Sequence, residues 1–151
     1  MAHNLLKLVV LSTALVSAAH AQNELLDFTP KLATVGLHLH TLHDNNNFCN
    51  STPGVYAKFS NGLTVGTYKN SECNNYSAYA GVTFEHAVTA NVSVAVTAGV
   101  VTGYRLSPVL PLLVPSVAVD ITNNTAVRLT FIPKIAADGA NAVNFAIERR
   151  F

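Results

Sequence analysis

The feature that most constrains the fold is a period-two alternation of large apolar and polar residues, which is clearest at the C-terminal end. In residues 143–151, Phe145 and Ile147 share one face of an extended strand, and Asn144 and Glu148 share the other. The same alternation recurs along most of the chain, although charged residues make up only 11% of the sequence. Such a repeated pattern predicts a closed barrel with apolar side chains facing lipid and polar side chains in the lumen.

The N-terminus predicts a secretory signal peptide. Lys7 precedes a largely apolar run, residues 8–16, and Ala19 and Ala21 supply the small residues of a cleavage site. The run is shorter than the roughly 20 residues that a membrane-spanning helix needs. We therefore expect a signal peptide at residues 1–21, a short periplasmic segment at residues 22–32 and an outer-membrane barrel at residues 33–151.

Charge and cysteine content narrow the function classes. The formal net charge is +1 and there is no basic run, so no nucleic-acid partner is expected. Cys49 and Cys73 are the two cysteines, and an exported chain can keep a disulfide between them. No CxxC or other metal spacing occurs. We therefore expect a monomer that needs no cofactor.

Eight strand-like segments predict an eight-stranded antiparallel transmembrane β-barrel. They cover residues 33–42, 54–60, 63–70, 76–85, 91–103, 116–122, 125–134 and 142–151. Short connections such as Asn61-Gly62 carry hairpin-turn residues and alternate with longer ones, including residues 104–115. Barrels place short turns on the periplasmic side and longer loops outside. Cys49 and Cys73 then lie in the first and second outer loops, which a bridge would join.

The alternation also assigns side chains to the two faces of the wall. Outward-facing residues include Val92, Val94, Val96, Val117, Val119 and Phe131, and inward-facing charges are Glu85, Asp120, Arg128, Glu148 and Arg150. Because an isolated charge in a narrow lumen is costly, Arg128 should pair with at least one of the carboxylates. Small inward residues such as Gly36 and Gly66 lie above the charges. This part of the lumen is expected to be either a narrow pocket or fully packed with side chains.

Four segments resemble the outer-membrane lipid A palmitoyltransferases, the PagP-like family. Residues 62–71 resemble its third-strand motif, which ends in Lys-Asp-Ser, and residues 80–85 resemble its Ala-Gly-aromatic-Gly-Trp-Glu stretch. Residues 108–115 resemble its proline-rich entry to the sixth strand, and residues 129–133 resemble its Tyr-Ile-Pro segment. The resemblance spans roughly residues 33–151 and implies an acyltransferase that moves palmitoyl from a phospholipid to lipid A.

The prolines have a physical interpretation of their own. Proline lacks the N–H that a strand ladder needs, so Pro108, Pro111, Pro115 and Pro133 are expected to interrupt pairing near the outer rim. In the PagP-like family, such breaks are thought to admit lipid chains sideways through the wall. The alternative is that residues 108–115 stiffen a loop.

The resemblance also implies a catalytic set at the outer rim. Ser71 matches the family's serine, as hydroxyl partner or nucleophile, and Asn70 stands where the family has an aspartate. His43 is the expected base, because the residues after it keep the order of the family's His…Tyr-Asn…Pro-Trp-Gly segment. An asparagine can orient a histidine, although it holds no charge. His38 and His40, both inward by the alternation, are alternative candidates.

Other interpretations of these residues stay open. His38 and His40 could be hydrogen-bonded fillers of the lumen, and together with His43 they could bind a metal. Ser71 could be an ordinary turn residue. In a different function class, the chain would be a non-enzymatic small barrel whose loops bind a partner or serve structure, and a packed lumen would favour it. A soluble lipid-binding barrel would lack an exposed apolar belt.

Overall fold

The computed structural model describes residues 30–73, 75–134 and 139–151, so the expected signal peptide lies outside the described residues. The strands are β1 (Leu32–His43), β2 (Gly54–Phe59), β3 (Leu63–Lys69), β4 (Tyr76–Ala87), β5 (Val92–Tyr104), β6 (Ser107–Thr122), β7 (Thr125–Ile132) and β8 (Ala142–Arg150). The described part of the chain contains no helix that is long and apolar enough to cross a membrane.

The strands close into one antiparallel barrel in chain order, with β1 paired to β8 from Thr34–Arg150 to His43–Ala142. The predicted eight-stranded antiparallel barrel is therefore confirmed. β1 begins and β8 ends at the same end of the barrel, called here the terminal end, and the opposite end is called the loop end. A turn at Gly62 joins β2 to β3, where the φ of 84° favours glycine as expected.

The wall is apolar outside and polar inside, as predicted. On the outer face, Val94, Val96, Val117, Val119 and Phe131 are 39–46% exposed. These residues form part of a continuous apolar belt, which a soluble barrel would not expose to water. The alternative of a soluble lipid-binding barrel is therefore excluded, because that barrel would lack an exposed apolar belt.

A bulge in β1 changes the faces of the histidines. His38 pairs with Ala146 but His40 pairs with Phe145, so β1 holds one residue more than β8 at this point. The extra residue reverses the alternation beyond it. His38 faces the lumen, as predicted, whereas His40 is exposed on the outer wall, and its predicted inward orientation is wrong. The same shift turns His43 inward at the loop end.

β6 is longer than expected and borders an opening in the wall. The sequence predicts a loop at residues 104–115, but β6 begins at Ser107. Its pairing with β5 also begins there, with the pair Tyr104–Ser107. Its pairing with β7 begins only at Ser116–Thr130. Within the described residues, positions 107–115 therefore have a partner strand on one side only. In the part of the chain that the structure describes, the wall therefore has a gap between β6 and β7 near the loop end.

Two of the three prolines of β6 lie on the side of this gap. Asp120 donates its backbone N–H to Asn91, which lies on the β5 side. Because N–H groups alternate sides along a strand, Pro111 and Pro115 occupy positions whose N–H would point into the gap. The ladder with β5 thus loses no donor at these two positions, and the stiffened-loop interpretation is wrong. Pro133 follows directly after the end of β7.

Candidate functional site

A buried ion-pair cluster fills the lumen at the terminal end. Arg128 donates from Nε to Glu148 Oε1 at 2.7 Å and from Nη2 to Glu85 Oε1 at 2.9 Å. Lys58 also pairs with Glu85, and the Tyr56 hydroxyl donates to Glu148 at 2.6 Å. The predicted pairing of Arg128 is confirmed. Each charge in the cluster therefore has a partner of opposite sign at this end of the lumen.

Next to this cluster, His38 is hydrogen-bonded through both ring nitrogens. Its Nδ1 lies 2.8 Å from Asn144 Oδ1, and its Nε2 lies 3.0 Å from the Tyr79 hydroxyl. Asn144 Nδ2 donates to the His40 carbonyl at 3.2 Å and to Thr41 Oγ1 at 2.9 Å, which fixes the orientation of the amide. Since Oδ1 then faces His38, Nδ1 must carry the hydrogen, and Nε2 accepts from Tyr79.

Tyrosine rings occupy the space beside two inward glycines. A Cβ on Gly36 would lie 2.1 Å from the ring of Tyr56, and a Cβ on Gly66 would lie 2.6 Å from the ring of Tyr79. The His38 ring centroid is 4.9 Å from that of Tyr56 and 5.9 Å from that of Tyr79. The small residues therefore accommodate aromatic rings, and the free space in the lumen is narrow.

A luminal cavity extends from the histidine toward the gap in the wall. It has a volume of about 90 Å³ and is partly open to solvent. Its lining joins His38, Tyr79 and Asn144 to residues of the strands that border the gap, Leu112 and Val114 of β6 and Thr130 and Ile132 of β7. One wall thus offers polar atoms and another offers apolar surface, which suits a slim amphiphilic molecule.

The predicted base, His43, lies at the loop end of the barrel. Its Nδ1 is 2.9 Å from Asn50 Oδ1, and its ring stacks on Phe48 with centroids 5.3 Å apart. No hydrogen bond joins His43 to Asn70 or Ser71 among the described residues. The amide that contacts His43 is therefore that of Asn50, whereas the resemblance implies that of Asn70.

Asn70 is fully buried, and its side chain binds its own turn and two neighbouring segments. The amide Nδ2 donates to the Gly103 carbonyl at 2.8 Å and to Ser77 Oγ at 3.3 Å. Its Oδ1 accepts the backbone N–H of Glu72 at 3.0 Å. Because both ends of the amide are engaged, Asn70 is not free to orient a histidine.

The predicted disulfide between Cys49 and Cys73 is present and joins the first outer loop to the second. The backbone N–H of Cys49 also donates to the carbonyl of Ser71 at 2.8 Å. These two links hold the loop that begins after His43 against the turn that contains Ser71. The staple expected from the sequence therefore exists, although the three catalytic candidates do not contact one another through hydrogen bonds.

The described residues contain no group of three or more His, Cys, Asp or Glu side chains suited to a metal ion. The three-histidine metal site also loses a ligand, because His40 faces outward. The sequence did not single out the set formed by Tyr79, His38 and Asn144. The alternation in β4, β1 and β8 nevertheless predicts that all three side chains face inward, which is the pattern that could have grouped them.

One comparison with a solved structure supports the fold. The solution NMR structure of the de novo designed TMB2.3 is similar with a TM-score of 0.60 and 11% identity, over 83% of this chain and 98% of that chain. The crystal structure of Neisserial surface protein A (NspA) matches with a TM-score of 0.34 and 13% identity, over 80% of this chain and 96% of that chain. No protein-family model and no curated protein sequence matches the chain. The similarity is one of fold.

Proposed function

We propose that the protein is a bacterial outer-membrane barrel that takes a lipid acyl chain into its lumen and transfers an acyl chain between outer-leaflet lipids. The observation that carries this proposal is that the luminal cavity is lined by both strands bordering the β6–β7 gap. An apolar chain could enter there from the membrane without passing the buried ion-pair cluster. The apolar side chains of Leu112, Val114 and Ile132 would line its path.

The outer-membrane location is supported by the distribution of polarity. The exposed apolar belt matches the hydrocarbon layer, whereas ionised side chains such as Arg128 and Glu148 are buried in the lumen. The disulfide fits an oxidising compartment outside the cytoplasm. The signal peptide remains a prediction, because it lies outside the described residues.

The proposed reaction follows the resemblance to the PagP-like family, with a phospholipid as donor and lipid A as acceptor. His43 would take the proton of the acceptor hydroxyl as that oxygen attacks the donor ester carbonyl. The proton would then pass to the oxygen of the departing lysophospholipid. Asn50 holds Nδ1 of His43, and among the described residues Nε2 has no hydrogen-bond partner, so Nε2 is available for this role. Ser71 would act as the hydroxyl partner, donating a hydrogen bond to the carbonyl oxygen of the acyl group during this transfer.

A second candidate is a non-enzymatic barrel whose outer loops serve structure or bind a partner. Two observations favour it. The rings of Tyr56 and Tyr79 fill the space beside Gly36 and Gly66, which narrows the lumen. The amide of Asn70 is engaged by the Gly103 carbonyl and by the backbone N–H of Glu72, so the rim lacks the arrangement that the resemblance implies.

Mass spectrometry of lipids separates the two candidates. Lipid A and phospholipids from cells that produce the protein would be compared with those from cells that lack it. The acyltransferase predicts lipid A that is heavier by one acyl chain, together with lysophospholipid. The same products should form when purified protein is reconstituted with a phospholipid and lipid A. Unchanged lipids in both settings would leave the non-enzymatic barrel as the better interpretation.

A further inference from the structure

We infer that the lumen binds an apolar chain that carries a hydroxyl group, such as a hydroxy fatty acid or its ester, between Tyr79 and Thr130. The inference rests on the proposed binding of a lipid chain in the lumen, and it specifies the chemistry of that chain. A plain alkyl chain is what the resemblance to a palmitoyltransferase implies. The polar atoms that face the cavity instead select for a hydroxyl.

The first of these atoms is the phenolic oxygen of Tyr79. Its hydrogen is directed to Nε2 of His38, because Asn144 Oδ1 requires the hydrogen of that ring on Nδ1. The His40 carbonyl holds the Asn144 amide and prevents its reversal. His38 is the one hydrogen-bond partner of the Tyr79 hydroxyl among the described residues. The oxygen of Tyr79 can therefore accept a hydrogen bond in the cavity but has no hydrogen left to donate.

The second is the hydroxyl of Thr130, on the β7 wall of the same cavity. Other luminal threonines are paired, Thr41 with Thr52 at 2.6 Å, and Thr83 with both Thr64 and Thr97 at 2.8 Å. Thr130 has no side-chain hydrogen bond among the described residues. It belongs to the pair Ser116–Thr130 that borders the gap, so an entering chain would pass its hydroxyl.

A hydroxyl group suits each of these two atoms of the cavity wall. It can donate to the oxygen of Tyr79 and accept from Thr130, because a hydroxyl is both donor and acceptor. An alkyl chain would leave both atoms without a partner. An ester or ketone oxygen could accept from Thr130 but could not donate to Tyr79. The pair therefore discriminates by chemistry as well as by shape.

Competition between matched chains tests the inference. The full-length protein in detergent would be mixed with equal amounts of a saturated fatty acid methyl ester and its monohydroxylated analogues of the same length. Native mass spectrometry would give the ratio of bound forms. One net hydrogen bond predicts a preference of about fivefold for a hydroxylated chain. Thr130→Val should remove most of the preference. Tyr79→Phe keeps the ring beside Gly66 but frees Nε2 of His38 as an acceptor, so it is combined with His38→Phe, and this double variant should also remove most of the preference.

Tyr68→Phe is the matched control, because the Tyr68 hydroxyl binds that of Tyr104 at 2.8 Å and not a histidine. It should leave the preference unchanged. Equal binding of plain and hydroxylated chains by the wild type would overturn the inference, as would a preference that survives both Thr130→Val and the double variant Tyr79→Phe, His38→Phe. Lipid transfer in samples that show equal binding would leave the proposed function in place. Absence of every bound chain would overturn both luminal binding and this inference.

Discussion

The guanidinium of Arg128 holds the carboxylate of Glu148 through two hydrogen bonds, from Nε to Oε1 at 2.7 Å and from Nη2 to Oε2 at 3.2 Å. Glu148 is 1% exposed and Arg128 is 6% exposed, so the pair is shielded from water. It joins the adjacent strands β7 and β8 on their luminal face, close to where β8 also pairs with β1. The ion pair thus lies beside the seam that closes the barrel.

Replacing Arg128 by Met should lower the free energy of unfolding by about 3–5 kcal/mol, because it leaves a buried carboxylate without its main partner. Urea unfolding of the protein in lipid vesicles would measure the change. Arg105→Met is the control, since that side chain is 83% exposed and pairs with Glu72 at the loop end. It should cost less than about 1 kcal/mol. Equal losses for the two variants would contradict the assigned role of Arg128.

Removal of the disulfide should destabilise the barrel. Cys49 and Cys73 are 24 residues apart in sequence. A loop of that length corresponds to about 3 kcal/mol in the chain-entropy model. The double variant Cys49→Ser, Cys73→Ser should therefore unfold at lower urea concentration than the oxidised wild type. Thiol counting on protein purified from the envelope provides the direct check, and two free thiols there would show that the bridge does not form.

Loss of the rim histidine should abolish most of the proposed activity. If His43 is the base, His43→Ala should lower acyl transfer by at least about 10²-fold. His40→Ala is a matched control three residues away, because His40 faces outward and should leave transfer nearly intact. Lipid A mass spectrometry measures both variants. Wild-type levels of transfer in His43→Ala and in Ser71→Ala would remove both residues from the mechanism.

The variant Asn70→Asp separates the outcome expected from the family resemblance from the outcome expected from the observed hydrogen bonds. The resemblance suggests that an aspartate would raise activity. The structure predicts instead a loss of roughly 2–3 kcal/mol in stability, because a buried carboxylate would face the carbonyl of Gly103. Asn50→Asp is the contrasting change, since Asn50 is exposed and already presents an oxygen to His43. It should preserve stability and increase transfer; a stable, more active Asn70→Asp would contradict this assignment.

Closing the gap should block lipid entry. Val114 and Ile132 would face each other if the β6–β7 ladder continued by one more pair of inward residues. Cysteines at both positions, joined by a short bismaleimide, should abolish transfer while the uncoupled variant stays active. Cysteines at Val94 and Val117, which are already paired on the outer face, form the control. Full transfer after coupling across the gap would mean that chains enter elsewhere.

The alternation of residues predicts most of the wall. Strand number, strand order, the outward valines and the inward charges follow from period two, because a membrane barrel has only two faces and few charges to distribute. The bridge between Cys49 and Cys73 follows as well, since two cysteines allow one pairing. These features depend on local pattern and on chain order, which the sequence contains directly.

The remaining features depend on pairing between strands. The prolines of β6 predict a loop because proline lacks a donor, but Pro111 and Pro115 lie on the side where the described residues supply no neighbouring strand. The inward orientation of His40 was mispredicted because a bulge is a difference in length between two paired strands. The engagement of Asn70 depends on Gly103, which is 33 residues away in sequence. Such relations appear only when the strands are placed side by side.

The bulge in β1 gives this strand an unusual tolerance to shortening. In a regular strand, deleting one residue exchanges the two faces of everything beyond the deletion. In β1 the surplus residue lies between His38 and His40, at Leu39. A chain without Leu39 would match β8 residue for residue and would still direct Thr41 and His43 toward the lumen. Deletion of the Leu39 codon should therefore leave the inward-facing residues of β1 unchanged.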